Sequence, residues 1–224
     1  MNALRLPFRK LSMTHAILRT TAALLLATSA AAQAQAIDLG TATGLGDALI
    51  SSTSATVTTA YFDAADPVGS EAGGTGGSAL WIDDLESAIP VVASGTLGLD
   101  AYEGSALTIS FSVAASSSIS FNWSLSTTGY DAGFADRAFV LIDGQVATLA
   151  TVADTTLTGS FSSALLASGV HTLTVGVVDV NDVTGVSALT VGDLAVTAAV
   201  PEPESYALML AGLAAVGLVA RRRR

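Results

Sequence analysis

The amino-acid sequence predicts an all-β body, an antiparallel two-sheet sandwich of jelly-roll type, framed by an N-terminal signal helix and a C-terminal transmembrane helix. Three observations carry this reading. Between residues 37 and 199, apolar and polar residues alternate in roughly eight to ten short runs, the period of strands with one wet face. The connections between the runs are rich in Gly, Ser, Thr and Asp, and no apolar stripe at helical spacing lies between the two ends. A right-handed β-helix is the alternative architecture, but no regular internal repeat supports it.

Residues 1–36 read as a secretory signal peptide. Arg5, Arg9, Lys10 and Arg19 form its basic start and Thr21 to Ala32 its apolar stretch. Ala32-Gln33-Ala34 and Ala34-Gln35-Ala36 offer signal peptidase two overlapping small-residue sites. The basic start is long, and Met13 opens a shorter signal of the same kind, so Met1 and Met13 are both candidate starts. The mature chain then begins at Gln35 or Ile37.

Along the body, Ala55 to Phe62 alternates as a first strand and stops at Asp63-Ala64-Ala65-Asp66-Pro67. Ser70 to Ser78 is too glycine-rich for regular structure and lacks the Gly-Lys-Ser/Thr ending of a phosphate-binding loop, so it reads as a connection. Ala79 to Ile82 is a short apolar stretch, and Leu97 to Leu99 reads as another short strand. Leu107, Ile109, Phe111 and Val113 share one face of a clear strand, and Ile119, Phe121, Trp123 and Leu125 repeat the arrangement. Arg137 to Ile142 is apolar on both parities, which predicts burial on both sides. Asp143-Gly144 then predicts a two-residue hairpin turn, because both residues tolerate positive φ, with Gln145 to Ala150 returning antiparallel. Leu157 to Leu166, His171 to Val177 and Val186 to Ala198 complete the set, the last bent at Gly192-Asp193.

Charge narrows the function classes. With both ends set aside, Arg137 is the only Lys or Arg, against seventeen Asp and Glu, a formal charge near −16. Nucleic-acid binding and adhesion to anionic lipid both need a basic footprint, so neither is expected. Divalent cations, basic partners or solubility alone suit such a surface. The chain has no cysteine, which removes disulfides, thiol catalysis and Cys-ligated metals.

The last segment, residues 200–224, has three parts in fixed order. Pro201 and Pro203 fix φ and hold Val200-Pro201-Glu202-Pro203-Glu204 extended, the form in which processing enzymes read a peptide. Tyr206 to Ala220 is an uncharged run that as a helix rises roughly 22 Å. That is short against a bilayer core of roughly 30 Å, so spanning draws in Ser205 and the arginine stems or thins the bilayer. Arg221, Arg222, Arg223 and Arg224 form a membrane-stop cluster that stays cytoplasmic. This order closely resembles the PEP-CTERM sorting signal of Gram-negative bacteria. The resemblance implies an exosortase as processing partner, a transient inner-membrane anchor, and delivery to the cell surface or extracellular matrix. Ser120-Phe121-Asn122-Trp123-Ser124, Arg137 to Gly144 and Gly176 to Val180 also look like a jelly-roll body recurrent among exported bacterial proteins of this kind, with no assigned chemistry.

Candidate sites are few. His15 leaves with the signal, so His171 is the remaining imidazole; no Gly-x-Ser-x-Gly elbow accompanies it, and no catalytic residues are assigned. Calcium is the best-motivated ligand, as a structural Ca²⁺ at Asp179, Asn181 and Asp182, a turn with three oxygen side chains; Asp and Asn also favour turns for their own reasons. Trp81, Trp123, Tyr61, Tyr102 and Tyr130 offer stacking faces for a glycan. Trp123 lies on the apolar parity and is assigned to the core, which leaves Tyr130, beside Asp131, as the exposed candidate. The expected function is a non-enzymatic surface or matrix protein associated with exopolysaccharide or biofilm. A carbohydrate-binding module is the alternative, ahead of an exported hydrolase or an ice-binding protein.

Overall fold

The computed structural model of the chain describes residues 34–62, 77–183, 185–199 and 203–223. The signal segment up to residue 33, Asp63 and Asp66, most of the glycine-rich connection, residues 200–202 of the Pro-Glu-Pro motif and Arg224 lie outside the described residues, as do the side chains of residues 203–206. Two compact units emerge, the body Ala32–Ala199 and a second unit that includes the C-terminal segment.

Among the described residues, twelve strands make up two antiparallel sheets. The first contains β1 (Ala34–Ala36), β3 (Ala48–Ile50), β4 (Ser54–Thr58), β7 (Ser117–Thr128), β10 (Leu157–Ser162) and β12 (Val186–Ala198), in the order β10-β7-β12-β4-β3 with β1 also on β12. The second contains β2 (Thr43–Leu45), β5 (Leu80–Trp81), β6 (Ala101–Val113), β8 (Arg137–Ile142), β9 (Gln145–Thr151) and β11 (Gly169–Val180), in the order β2-β6-β11-β8-β9 with β5 also on β6. From β6 onward the chain changes sheet at every connection but the β8–β9 hairpin, as the jelly-roll expectation requires. Ala34-Gln35-Ala36, one of the expected cleavage sites, is itself strand β1.

Alternation sets what is buried. Leu107, Ile109, Leu173, Val175 and Val177 meet Val57, Ile119, Phe121, Leu125, Leu189 and Val191 between the sheets. The second sheet also carries a smaller apolar cluster, where Phe139, Leu141 and Val178 pack with Leu85, Ile89 and Leu97. This second cluster is why β8 is apolar on both parities. Asp143 and Gly144 take φ of 51° and 80°, the paired positive values of the expected tight hairpin turn. The bend in β12 is a register shift between Gly192 and Ala195, with Asp193 at φ 54°.

Two local expectations are corrected. Leu97 to Leu99 is a pair of turns, not a strand, with Gly95 and Gly98 at positive φ. Only Leu80 and Trp81 of the apolar run after the glycine-rich connection are strand; helix α1 (Ile82–Ala88) follows at once, with Asp83 and Asp84 in its first turn, where a helix favours negative charge. Glu86 of this helix is buried, and its two oxygens accept the Gly95 and Leu97 backbone N–H groups at 2.6 and 2.7 Å. Glu86→Gln turns an amide donor toward one of those buried N–H groups, so a loss of about 2–3 kcal/mol is expected in urea unfolding. A loss below about 0.5 kcal/mol would show that Leu97 burial alone holds the turn.

In the second unit, α2 (Pro203–Arg222) carries Arg221 and Arg222 in its last turn. The expected transmembrane helix is only partly recovered: a helix forms there, but among the described residues no helix is long and apolar enough to cross a membrane.

Candidate functional site

One end of the sandwich gathers the polar chemistry of the body. Glu103 near the start of β6, Asp136 just before β8 and Asp179 near the end of β11 stand at the same end of three adjacent antiparallel strands. They occupy the parity of Leu107, Ala138 and Val177, so all three point toward the space between the sheets and are buried. Asp47, Thr58, Thr59, Ser105 and Ser187 line the same end, also buried. Thr58 Oγ1 donates to Asp47 Oδ2 at 2.6 Å, and Ser105 Oγ accepts the Asp47 N–H at 2.9 Å.

The three acids differ in how they are satisfied. Asp136 accepts the Val180 N–H on Oδ1 and the Ser187 hydroxyl on Oδ2. Both Oδ atoms of Asp179 are buried with no donor other than a second acid, Asp182, beside them, and Oε2 of Glu103 is buried without a hydrogen-bond partner. Burial, with Asp136 beside it, pushes the Glu103 carboxyl up to about 7. Burial, the charge of Asp136, a side-chain contact with the second acid Asp182 and the charges of Asp182 and Glu103 push Asp179 up to about 8. Asp136 is raised as well, by burial, against the pull of its hydrogen bonds. The body's single arginine does not answer this charge, for Arg137 pairs with Asp100 at 3.1 Å and also donates to the Leu97 carbonyl.

The turn expected to hold calcium is divided. Asp179 faces inward, whereas Asn181 is exposed at φ 65° with its N–H on the Asp100 carbonyl. Asp182 lies near enough to raise both Asp136 and Asp179. Among the described residues, no three His, Cys, Asp or Glu already stand in metal-holding geometry. Sequence reasoning missed Glu103, although an acid on the apolar parity of a strand was the available signal, and did not join Asp136, an acid at a strand end distant in sequence, to Asp179.

Directly outside Glu103 lies an aromatic surface. β5 pairs with β6 so that Trp81 stands opposite Glu103, and Tyr102 points out where Glu103 points in. Trp81 and Tyr102 are each 46% exposed and line a shallow cleft of about 360 Å³ with Asp83 and Leu99. Tyr61 packs on Trp81, ring centroids 5.1 Å apart and tilted by 51°. Tyr130 is exposed in the turn after β7, without a second ring beside it among the described residues. Trp123 packs against the main core, as expected.

His171 is not arranged as a catalytic base. Its Nδ1 meets Asp143 Oδ2 at 2.7 Å and its Nε2 the Ala167 carbonyl at 2.9 Å. The Asp143 hydrogen bond, then that carbonyl, raise the imidazole above its ordinary range. Both ring nitrogens thus face acceptors, which suits an imidazolium clasp between the β8–β9 turn and β11.

At the C-terminus, β12 ends at Ala198 and α2 begins at Pro203, so Pro203 and Glu204, expected to be extended, instead open the helix that runs to the arginine block, where a proline at the first helical position lacks only an N–H that would be unpaired anyway. Residues 199–224 match the PEP-CTERM protein-sorting motif. The PEP-CTERM motif marks an exported protein that exosortase sorts. No curated protein matches the chain in sequence. Among solved structures, TmCBM61 in complex with β-1,4-galactotriose is similar over 71% of this chain and 89% of its own, at 11% identity and a TM-score of 0.33. A family 35 carbohydrate binding module from an environmental isolate is similar over 44% of this chain and 73% of its own, at 18% identity and a TM-score of 0.29. Superpositions this loose leave ligand and chemistry to be argued from the residues of this chain.

Proposed function

We propose that this PEP-CTERM protein is a non-enzymatic glycan-binding protein of the bacterial envelope or exopolysaccharide matrix, with its ligand face at Trp81, Tyr102 and Tyr61. The carrying observation is that two half-exposed rings, Trp81 and Tyr102, line a shallow cleft together with Asp83, while a third exposed ring, Tyr61, packs on Trp81. Aromatic faces take up the apolar side of a sugar ring, while a carboxylate at the rim accepts its hydroxyls. The strongly acidic body repels anionic polymers, so the ligand class is a neutral polysaccharide. A non-enzymatic role is supported by His171, whose two nitrogens are both engaged. Affinity electrophoresis through gels containing neutral polysaccharides tests the reading. Retardation in at least one gel, lost in Trp81→Ala, is expected; equal mobility in every gel would overturn it.

The same proposal has the chain leave a Gram-negative cell through its signal peptide and rest briefly in the inner membrane on α2. The helix is 20 residues, about 30 Å, so insertion uses its whole length, including the first turn and the arginine stems. In an exosortase-deficient host the chain should stay in the membrane with Arg221 to Arg224 attached, and in the normal host these residues should be gone. Pro201→Ala combined with Pro203→Ala should reproduce the deficient phenotype, since both prolines of the Pro-Glu-Pro step in the sorting motif are lost. Equal mass and location in both hosts, read by mass spectrometry of membrane and medium fractions, would contradict the sorting route.

A further inference from the structure

We propose that the body binds one calcium ion between Glu103, Asp136 and Asp179, at the end of the sandwich beneath Trp81. An acidic cluster alone would not carry this. The deciding observation is that Oε2 of Glu103, which is 2% exposed, is buried with no hydrogen-bond partner, and that both carboxylate oxygens of Asp179, which is 0% exposed, are buried with no donor other than a second acid, Asp182, beside them. Buried polar atoms are nearly always satisfied, and three such oxygens on two acids of one end of one sheet ask for a common partner.

The charge of that partner follows from its surroundings. Glu103, Asp136 and Asp179 each follow directly on the last regular pairs of their strands, Val178 with Gly104 and Val178 with Arg137, at the point where the β6–β11 register shifts. Arg137 is the body's only Lys or Arg and is spent on Asp100. The partner is therefore a cation from solution. The donors are all oxygen, which selects a hard ion, and calcium takes several carboxylate oxygens in irregular geometry where magnesium demands an octahedron and keeps its waters. Asp136 is already oriented by the Val180 N–H and the Ser187 hydroxyl, a ready outer shell for one ligand. Glu103 and Asp179 must swing together to close the site, because the three do not yet stand at metal-holding distances. Binding therefore draws β6, β8 and β11 to a common point and stiffens the strand that carries Tyr102 and pairs with Trp81. The site does not depend on the glycan reading, and either can fail without the other.

The test uses the full chain in mild non-ionic detergent, with calcium chloride as probe. Relative to chelator, calcium at about ten times its dissociation constant or more should raise the melting temperature by roughly 3–10 °C, and calorimetric titration should show one site per chain. Asp179→Asn and Glu103→Gln should each weaken binding at least tenfold, whereas Asp131→Asn, whose carboxylate only closes its own turn onto the Gly133 N–H, should leave it unchanged. A second readout needs no variant: terbium bound at Glu103 lies next to Trp81, so exciting tryptophan should sensitise its luminescence, and calcium should quench it by displacement. No melting shift and no sensitised luminescence would overturn the proposal, as would wild-type calcium affinity in Asp179→Asn.

Discussion

In buffer free of divalent cations, the body is expected to lose several kcal/mol of stability as the pH rises from about 5 to about 9. The sign follows from the direction of the shifts. Glu103 rises from 4.5 to about 7 and Asp179 from 3.8 to about 8, so over the interval between these values the folded chain holds protons that the unfolded chain has released. Stability then falls with pH, and the penalty is complete only above the folded values. His171, also raised, acts in the same direction, because its clasp to Asp143 weakens as the imidazole deprotonates. The opposing groups act elsewhere. Asp100 is lowered, chiefly by its hydrogen bond from Arg137. Asp143 is pushed up by partial burial but held lower overall by the hydrogen bonds from His171 and the Thr172 N–H, so the stabilisation from both is fully present above about pH 4 and is lost only as the pH falls below it. Asp179→Asn keeps the shape and removes the largest of the shifted charges, so it should flatten the slope and stabilise the protein at pH 9. Urea unfolding at three pH values checks this, and stability that climbs between pH 5 and 9 would contradict it.

The second large effect concerns the rings. Truncating Trp81 or Tyr102 to Ala should cost at least about 2 kcal/mol of glycan binding, roughly a thirtyfold loss, which is what a central aromatic anchor contributes to an interface. Folding should be nearly untouched, because both rings are about half exposed and already in contact with water. Tyr61→Ala should lose less, since its ring acts by fixing the tilt of Trp81. Tyr130→Ala should lose nothing. Equal losses at Tyr130 and Trp81 would return the ligand face to the turn after β7.

The sandwich was legible because its strands obey a simple rule. Leu107, Ile109 and Phe111 against Thr108 and Ser110, or Leu173 and Val175 against Thr172 and Thr174, write one buried face into the sequence. Even the double burial of β8 was visible, as was its Asp143-Gly144 turn. Helix α1 was hidden because seven residues are too few for a helical stripe, and Ala79 to Ile82 reads as strand until α1 folds onto the second sheet. The acidic end was half legible: Asp179 drew attention as a turn residue, but its partners Glu103 and Asp136 are distant in sequence and meet only through the register of β6 and β8 on β11. The aromatic face was less legible still. Trp81 and Tyr102 belong to two strands separated in sequence by α1 and its following turns, and Tyr61 precedes the glycine-rich connection, so no local pattern ranks them above Tyr130.

The chain contains two tryptophans, and only Trp81 lies on the proposed ligand face. With Trp123→Phe as background, the emission of Trp81 alone reports what touches that face. Adding a retained neutral polysaccharide should shift this emission to the blue and protect it from acrylamide quenching. Emission and quenching that stay constant while the polysaccharide still retards the protein would place the glycan elsewhere and contradict the account.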